Sequence, residues 1–258
     1  MTSIWLLYLV GFVVGLVVGS FLNVCIVRLP KGRSIIRPGS HCVTCEKAIP
    51  WFDNIPLLSF ILLRGQCRNC QARISLRYPL IELLNGVGYV AILAKFGMTP
   101  SAIVYGVFLS ALLVVIWIDL DHLIIPDVIS LPGIILGFIC AATVLPVGWL
   151  NSVMGILLGG GILWVLAALS PHIFGKEGLG GGDIKFLAMI GAFLGWQPVL
   201  LTLFLASVSG SVIGILLLIL KVMERGHYIP FGPFLAGGAL VSLFFYHEVI
   251  GWYFGIVW

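Results

Sequence analysis

Long apolar runs separated by short polar connections dominate the chain. About 20 apolar residues are enough to cross a hydrocarbon core of ~30 Å as an α-helix, and the runs lack the period-two alternation that is typical of membrane β-strands. We therefore predict an all-α polytopic membrane protein with about eight transmembrane helices. The predicted spans are 4–27, 79–96, 101–118, 128–146, 151–170, 183–198, 199–220 and 232–252.

The span predicted at 183–198 is the weakest of the eight. Its helix would be only about 24 Å long, which is short of the ~30 Å core. A re-entrant segment is the alternative, but it would place Lys221 and Arg225 on the outer side. Gly191 and Gly195 lie four residues apart. That spacing suits close contact between helices, although glycine is also common in membrane helices generally.

The composition supports a membrane protein. Of the 258 residues, 60% are hydrophobic and 9% are charged, and a soluble domain of this size could not cover so much apolar surface with so few charges. The first apolar run is too long for the core of a signal peptide and has no basic segment before it. We therefore expect residues 4–27 to be a transmembrane helix rather than a cleaved signal.

The positive charges predict the orientation in the membrane. Nine of the 14 Lys and Arg residues lie between Arg28 and Arg77, and positively charged loops stay in the cytoplasm. Residues 28–78 are therefore predicted to be cytosolic and the N-terminus periplasmic. Retention of this loop explains the net charge of +4 without a nucleic-acid partner. The predicted cytoplasmic connections that follow are 119–127, 171–182 and 221–231.

These assignments divide the chain into three predicted domains. Residues 1–27 form a first transmembrane helix, residues 28–78 form a small cytosolic loop domain, and residues 79–258 form a seven-helix membrane domain. The bilayer is the one partner that composition predicts, and the pattern gives no oligomeric state.

Four cysteines in the predicted cytosolic loop form two C-x-x-C pairs. Cys42 and Cys45 form the first pair, and Cys67 and Cys70 form the second. Four cysteines in this spacing are typical of a tetrahedral Zn²⁺ site. Two disulfides are the weaker alternative because the cytosol is reducing. A closed shell of four thiolates favours a structural metal over a catalytic one, and it would stabilise a loop that has few large apolar side chains.

Two aspartates stand at the ends of apolar runs, where an ionisable group is costly and is a functional candidate. Asp119 follows the run that ends at Ile118, and Asp183 follows Gly180–Gly182. Under the predicted topology both carboxylates lie at the cytoplasmic face. Such a pair can perform aspartic-protease chemistry, because close like charges share one proton. The alternative for Asp183 is a helix N-cap preceded by a glycine hinge.

Nearby polar residues have simpler interpretations. Asp127 follows Pro126 and precedes an apolar run, so we expect it to be a helix N-cap. Asp121 and His122 are expected to be solvated loop residues. Lys185 is expected to extend its side chain to the membrane interface, with a role in orienting charge as the alternative.

The motifs and their order resemble those of the type IV prepilin peptidases, a family that also serves type II secretion. Gly180–Lys185 (GGGDIK) resembles the GxGD motif of intramembrane aspartyl proteases, and Asp119 with Pro126–Asp127 resembles the segment of the first catalytic aspartate. The remaining similar segments are Gly19–Pro30, the two cysteine pairs around Asn54–Ser59, Ser75–Pro79 with Glu82, and Pro230–Pro233.

This resemblance implies a bifunctional enzyme of the bacterial inner membrane. It implies that Asp119 and Asp183 are the catalytic pair, and that the enzyme cleaves prepilin or pseudopilin leaders after a glycine on the cytoplasmic side. It further implies N-methylation of the new terminal residue, usually Phe, by S-adenosylmethionine. The sequence has no G-x-G-x-x-G fingerprint, so the methyl-donor site is not assigned. The alternatives are an intramembrane protease without methylation and a transporter whose carboxylates relay protons.

Overall fold

The computed structural model describes residues 2–174, 180–221 and 229–255. The predicted connections 171–182 and 221–231 therefore lie partly outside the described residues. Two short 3₁₀ segments occupy Leu29–Lys31 and Trp51–Asn54. The α-helices are α1 (Thr2–Arg28), α2 (Leu58–Leu62), α3 (Arg77–Phe96), α4 (Pro100–His122), α5 (Asp127–Thr143), α6 (Trp149–Phe174), α7 (Gly181–Leu194), α8 (Trp196–Ile219) and α9 (Gly232–Phe254).

The predicted all-α membrane class is confirmed. Each predicted span corresponds to one helix. Six of these helices (α1, α3, α4, α6, α8 and α9) are long and apolar enough to cross a membrane. The other two, α5 and α7, have 17 and 14 residues. The protein is therefore a multi-pass membrane protein, and the count of eight crossings stays a prediction.

Helix boundaries differ from the predicted ones by up to four residues, and the ends of α4 and α7 are two of these differences. α4 does not end at Ile118 but continues through Asp119 to His122. α7 ends at Leu194, because Gly195 has φ 85° and ψ 178° and redirects the chain into α8. The predicted boundary at Pro198 was misplaced because proline is tolerated in the first turn of a helix, where its missing N–H is not needed.

The described residues form two compact units, Met1–Val114 and Val115–Trp258. In the first unit, α1 packs on α3 through glycines spaced four residues apart. A Cβ atom on Gly15 would lie 2.7 Å from the Cα of Gly86, and one on Gly19 would lie 2.7 Å from the Cα of Glu82. The two backbones therefore touch directly, as is common where small residues line membrane helices. This contact lets the Asn85 side-chain amide donate to the Gly15 carbonyl at 2.7 Å.

In the second unit, α7 is the central helix. It packs against α5, α6, α8 and α9, and every residue from Phe186 to Leu194 is buried. A helix enclosed by other helices need not match the thickness of the bilayer, which explains how a 14-residue helix serves as the core.

The close contact predicted for Gly191 is present. A Cβ atom on Gly191 would overlap the carbonyl group of Gly155 in α6, and one on Gly159 would lie 2.7 Å from the Leu187 carbonyl oxygen. Gly195 belongs to the same contact, since a Cβ atom on Gly155 would lie 2.8 Å from the carbonyl carbon of Gly195, although Gly195 itself terminates α7. The glycines of α6 that complete the contact were not singled out from the sequence, although their four-residue spacing was visible there.

Candidate active site and cysteine cluster

Asp119 lies in the last turn of α4 and is only 5% exposed. Its backbone carbonyl accepts the Leu123 N–H at 2.9 Å, so the helical ladder continues past it. Its side-chain Oδ2 accepts a hydrogen bond from the backbone N–H of Gly232 at 2.8 Å. Gly232 is the first residue of α9, and helix N-termini attract negative charge. The start of α9 therefore fixes the orientation of this carboxylate.

Asp183 lies in the first turn of α7 and is half-buried. It is not the N-cap: Gly180 occupies that position, and Asp183 is the third helical residue. Its carboxylate accepts a hydrogen bond from the Gly180 backbone N–H, as an acidic residue at this position does in a capping box. Like Asp119, it is therefore held by the backbone of a glycine at the start of a helix.

Ile125 lies between the two aspartate-bearing regions. A Cβ atom on Gly182 would lie 3.0 Å from the Cβ of Ile125, and one on Gly232 would lie 3.3 Å from its Cδ1. The connection between α4 and α5 thus packs against the starts of both α7 and α9. This packing brings Asp119 and Asp183 into one region of the second unit, where the two carboxylates interact electrostatically.

The predicted role of Asp127 as a helix N-cap was wrong. Pro126 is the N-cap of α5, and no side chain caps that helix. The carboxylate oxygens of Asp127 instead accept hydrogen bonds from Lys185 Nζ at 2.7 and 2.8 Å. Lys185 therefore joins the starts of α5 and α7, and its extension to the membrane interface stays a prediction. Both side chains are more than a third exposed, so the pair contributes about 0–1 kcal/mol. Asp121 and His122 are exposed, as predicted, but they belong to the last turn of α4 and not to a loop.

Gly232 is a residue of the candidate site that was not assigned a role from the sequence. Its motif, Pro230–Pro233, was visible, but its contact with Asp119 spans 113 positions.

Leu123 also had no predicted role. It has φ 55°, a conformation that non-glycine residues seldom adopt and that concentrates at functional sites. Leu123 is the first residue after α4 and directly follows the helical turn that contains Asp119.

The four cysteines of the loop form one cluster in the first unit. The sulfur atoms of Cys42, Cys45, Cys67 and Cys70 all lie within 4.8 Å of one another, and the Cys42 and Cys70 sulfurs are 3.7 Å apart. Four thiolates at ~2.3 Å from a tetrahedral Zn²⁺ lie about 3.8 Å from each other. The residues present therefore fit a zinc ion.

The two cysteine pairs form separate turns with the same hydrogen-bond pattern, 25 positions apart in the sequence. The N–H of the first cysteine donates to the carbonyl five residues on: Cys42 to Lys47 at 3.0 Å, and Cys67 to Ala72 at 2.9 Å. The residue that follows each pair has positive φ. In the first turn, N–H groups of Cys45 and Thr44 lower the pKa of Cys42 to about 6, which favours the thiolate that binds metal.

Replacing one ligand tests the cluster. We expect Cys42→Ser to lose bound zinc and to loosen residues 28–78, since three thiolates no longer close the shell, while the membrane helices stay folded. The measurement is elemental analysis of protein purified without chelators, with proteolysis of the loop as a second readout. Cys140→Ser is the matched control, because Cys140 lies in α5, outside the cluster. A wild-type protein without zinc would contradict the assignment.

The fold and the site define a class: a multi-pass helical membrane protein with a pair of buried or half-buried carboxylates in one unit and a four-cysteine cluster in the other. Comparison with known proteins gives the family. Residues 13–96 match the Bacterial Peptidase A24 N-terminal domain, and residues 106–215 match the Type IV leader peptidase family. The chain belongs to the type IV leader peptidase family, which confirms the resemblance seen in its motifs.

Three relatives, each named prepilin leader peptidase/N-methyltransferase, illustrate the similarity. The Stutzerimonas stutzeri protein is 38% identical over 95% of this chain and 93% of its own length. The Pseudomonas aeruginosa protein is 38% identical over 89% and 87%. The Myxococcus xanthus protein is 42% identical over 81% of this chain, and the match spans 62% of that longer protein. No solved structure matches the chain.

Proposed function

We propose that this protein is a bifunctional enzyme that cleaves the leader from type IV prepilins or type II secretion pseudopilins and then methylates the new N-terminal residue. The observation that carries the proposal is the carboxylate pair. Asp119 and Asp183 interact electrostatically in one unit, and each accepts an N–H from the glycine at the start of a helix. The names of the relatives, prepilin leader peptidase/N-methyltransferase, support both activities.

Leader cleavage would follow the chemistry of aspartic proteases. Two close carboxylates do not both ionise, so they share one proton. The ionised member takes a proton from water, whose oxygen attacks the scissile carbonyl carbon, and the protonated member donates to the carbonyl oxygen. The N–H groups of Gly232 and Gly180 hold the two side chains in place for these transfers. Gly181 carries no side chain that would block an approaching peptide backbone, and a Cβ atom there would have no heavy atom within 4 Å.

The location of the pair suits a membrane-anchored substrate. Both carboxylates lie at helix ends, and the excess of Lys and Arg in residues 28–78 supports a topology in which those ends face the cytoplasm. A prepilin whose apolar helix begins near its cleavage site presents the scissile bond at that depth. We therefore propose an enzyme of the bacterial inner membrane with its active site facing the cytoplasm.

The two cofactors have separate roles in this proposal. Zinc bound by Cys42, Cys45, Cys67 and Cys70 would be structural, because four thiolates leave no open coordination position for a substrate. S-adenosylmethionine supplies an electrophilic methyl group when it is bound. The enzyme's own task is to hold that group beside the amine that cleavage exposes.

Mass spectrometry of a co-expressed prepilin tests both activities on one molecule. We expect a product that has lost its leader and gained the mass of one methyl group. A substrate in which the glycine before the cleavage site is replaced is the control, and we expect it to stay intact. A product that is cleaved but not methylated would identify a protease alone. An unprocessed prepilin would refute the proposed function and favour a transport role.

A further inference from the structure

The first unit contains a cavity of about 460 Å³ between the loop and the loop-facing ends of α1 and α3, and Cys42 and Cys67 line it on the side of the cysteine cluster. This volume lies within the ~300–1,000 Å³ that is typical of small-molecule and cofactor sites. All the residues that line it belong to the first unit, whereas the aspartate pair belongs to the second. The cavity is therefore not part of the proposed protease site.

Glu82 is the unusual residue in the lining of this cavity. It lies in the second turn of α3 and is only 8% exposed. Its Oε2 accepts the Leu57 N–H at 2.9 Å, and its carboxylate also accepts the Ser20 hydroxyl. Within residues 2–174, 180–221 and 229–255, no cationic side chain forms an ion pair with it. A buried carboxylate without a cation is costly, so a cationic ligand in the cavity would offset that cost.

The backbone that supports Glu82 is strained. Leu57 has φ 58° and ψ −48°, and the Pro56 carbonyl accepts the Leu58 N–H at 2.6 Å. This is the rare form of γ-turn, which non-glycine residues seldom adopt. The turn directs the Leu57 N–H at the carboxylate. Strain of this kind concentrates at binding and catalytic sites, so it is a second sign that the cavity has a ligand.

We infer that this cavity binds the methyl donor S-adenosylmethionine and that the Glu82 carboxylate faces its positively charged sulfonium. The inference rests on the methylation part of the proposed function. The other lining residues suit the rest of that ligand. Phe60, Ile74 and Tyr78 offer apolar and aromatic surface for the adenine ring, and Arg28 and Arg73 offer positive charge for the carboxylate.

Binding measurements on the full-length protein in nanodiscs test this site. The two probes are S-adenosylmethionine and S-adenosylhomocysteine, which differ in charge because the second lacks the sulfonium. We expect Glu82→Gln to weaken binding of S-adenosylmethionine by about tenfold or more, since it removes a charge interaction in a partly buried site. The same variant should change binding of S-adenosylhomocysteine by less than about threefold, because glutamine keeps an oxygen for the Leu57 N–H.

Glu46→Gln is the matched control, because Glu46 is an exposed carboxylate of the loop and does not line the cavity. It should bind both compounds as the wild type does. Zinc content shows whether each variant keeps a folded loop. Unchanged binding of S-adenosylmethionine by a folded Glu82→Gln protein would overturn the inference, and so would an equal loss for both compounds. Weaker binding of a processed pilin peptide alone would overturn it as well, since the cavity would then receive the substrate's terminal ammonium.

Failure of this site and failure of the proposed function give different results. If the wild-type protein methylates a prepilin but Glu82→Gln keeps full affinity for S-adenosylmethionine, the site is wrong and the function stands. If the wild-type protein neither binds S-adenosylmethionine nor methylates, the methylation part of the proposed function is wrong and the site has no ligand.

Discussion

Asp119→Asn and Asp183→Asn will each reduce leader cleavage by at least 10²- to 10⁴-fold, roughly the contribution of general acid–base catalysis. Asparagine keeps the shape of the side chain but can neither take a proton from water nor donate one as a carboxylic acid does. The two single variants and the double variant should be about equally inactive, because the pair acts as one unit. The measurement is the gel shift of purified prepilin incubated with each variant in detergent.

Asp121→Asn is the matched control for these variants. Asp121 lies two residues after Asp119 on the same helix and is exposed, so its replacement should leave cleavage within about twofold of the wild type. A thermal unfolding temperature and a gel-filtration profile like those of the wild type would show that the Asp119 and Asp183 variants are folded. Undiminished cleavage by either variant would rule out the carboxylate pair.

Gly232→Ala should give a folded enzyme with about 10²-fold slower cleavage, the size of effect that a displacement of ~1 Å has on a positioned catalytic group. A Cβ atom on Gly232 would lie 2.7 Å from Oδ2 and 3.2 Å from Cγ of Asp119. The carboxylate must move to relieve this contact, and the hydrogen bond from the Gly232 N–H is then lost or distorted. We expect kcat to fall while KM changes little, since the substitution disturbs a catalytic group.

A second glycine of α9 provides the control for Gly232. A Cβ atom on Gly237 would have no heavy atom within 4 Å, so Gly237→Ala meets no steric obstacle and favours the helix by up to about 1 kcal/mol. It should cleave as fast as the wild type and be equally or more stable. Equal activity of the Gly232 and Gly237 variants would mean that the start of α9 does not position Asp119.

Periodicity and length predicted the helices well, because each long apolar run has a single way to satisfy its backbone in lipid. The end of α4 was harder to place. Asp119 and Asp121 interrupt the apolar pattern. The helix nevertheless continues to His122, because its backbone hydrogen bonds do not require apolar side chains. Polarity marks the edge of the apolar region, and that edge need not coincide with the end of the helix.

The site was partly visible in the sequence. Asp119 and Asp183 stood out because charge is rare in this chain. The role of Asp127 was misjudged because local rules favour aspartate as a helix cap, whereas its partner Lys185 lies 58 positions away. The contact from Gly232 to Asp119 likewise depends on how distant helices pack. Local rules contain no information about partners of this kind.

The repeated turn of the cysteine loop has a consequence for how the protein is made. Neither half of the cluster can hold a metal with four sulfurs by itself, and the second half ends at Cys70, seven positions before α3 begins. During synthesis the proposed zinc ion could therefore be captured only when the next membrane segment is about to leave the ribosome. A zinc-starved cell would be expected to insert the helices normally and to accumulate chains whose loop is still open to proteases.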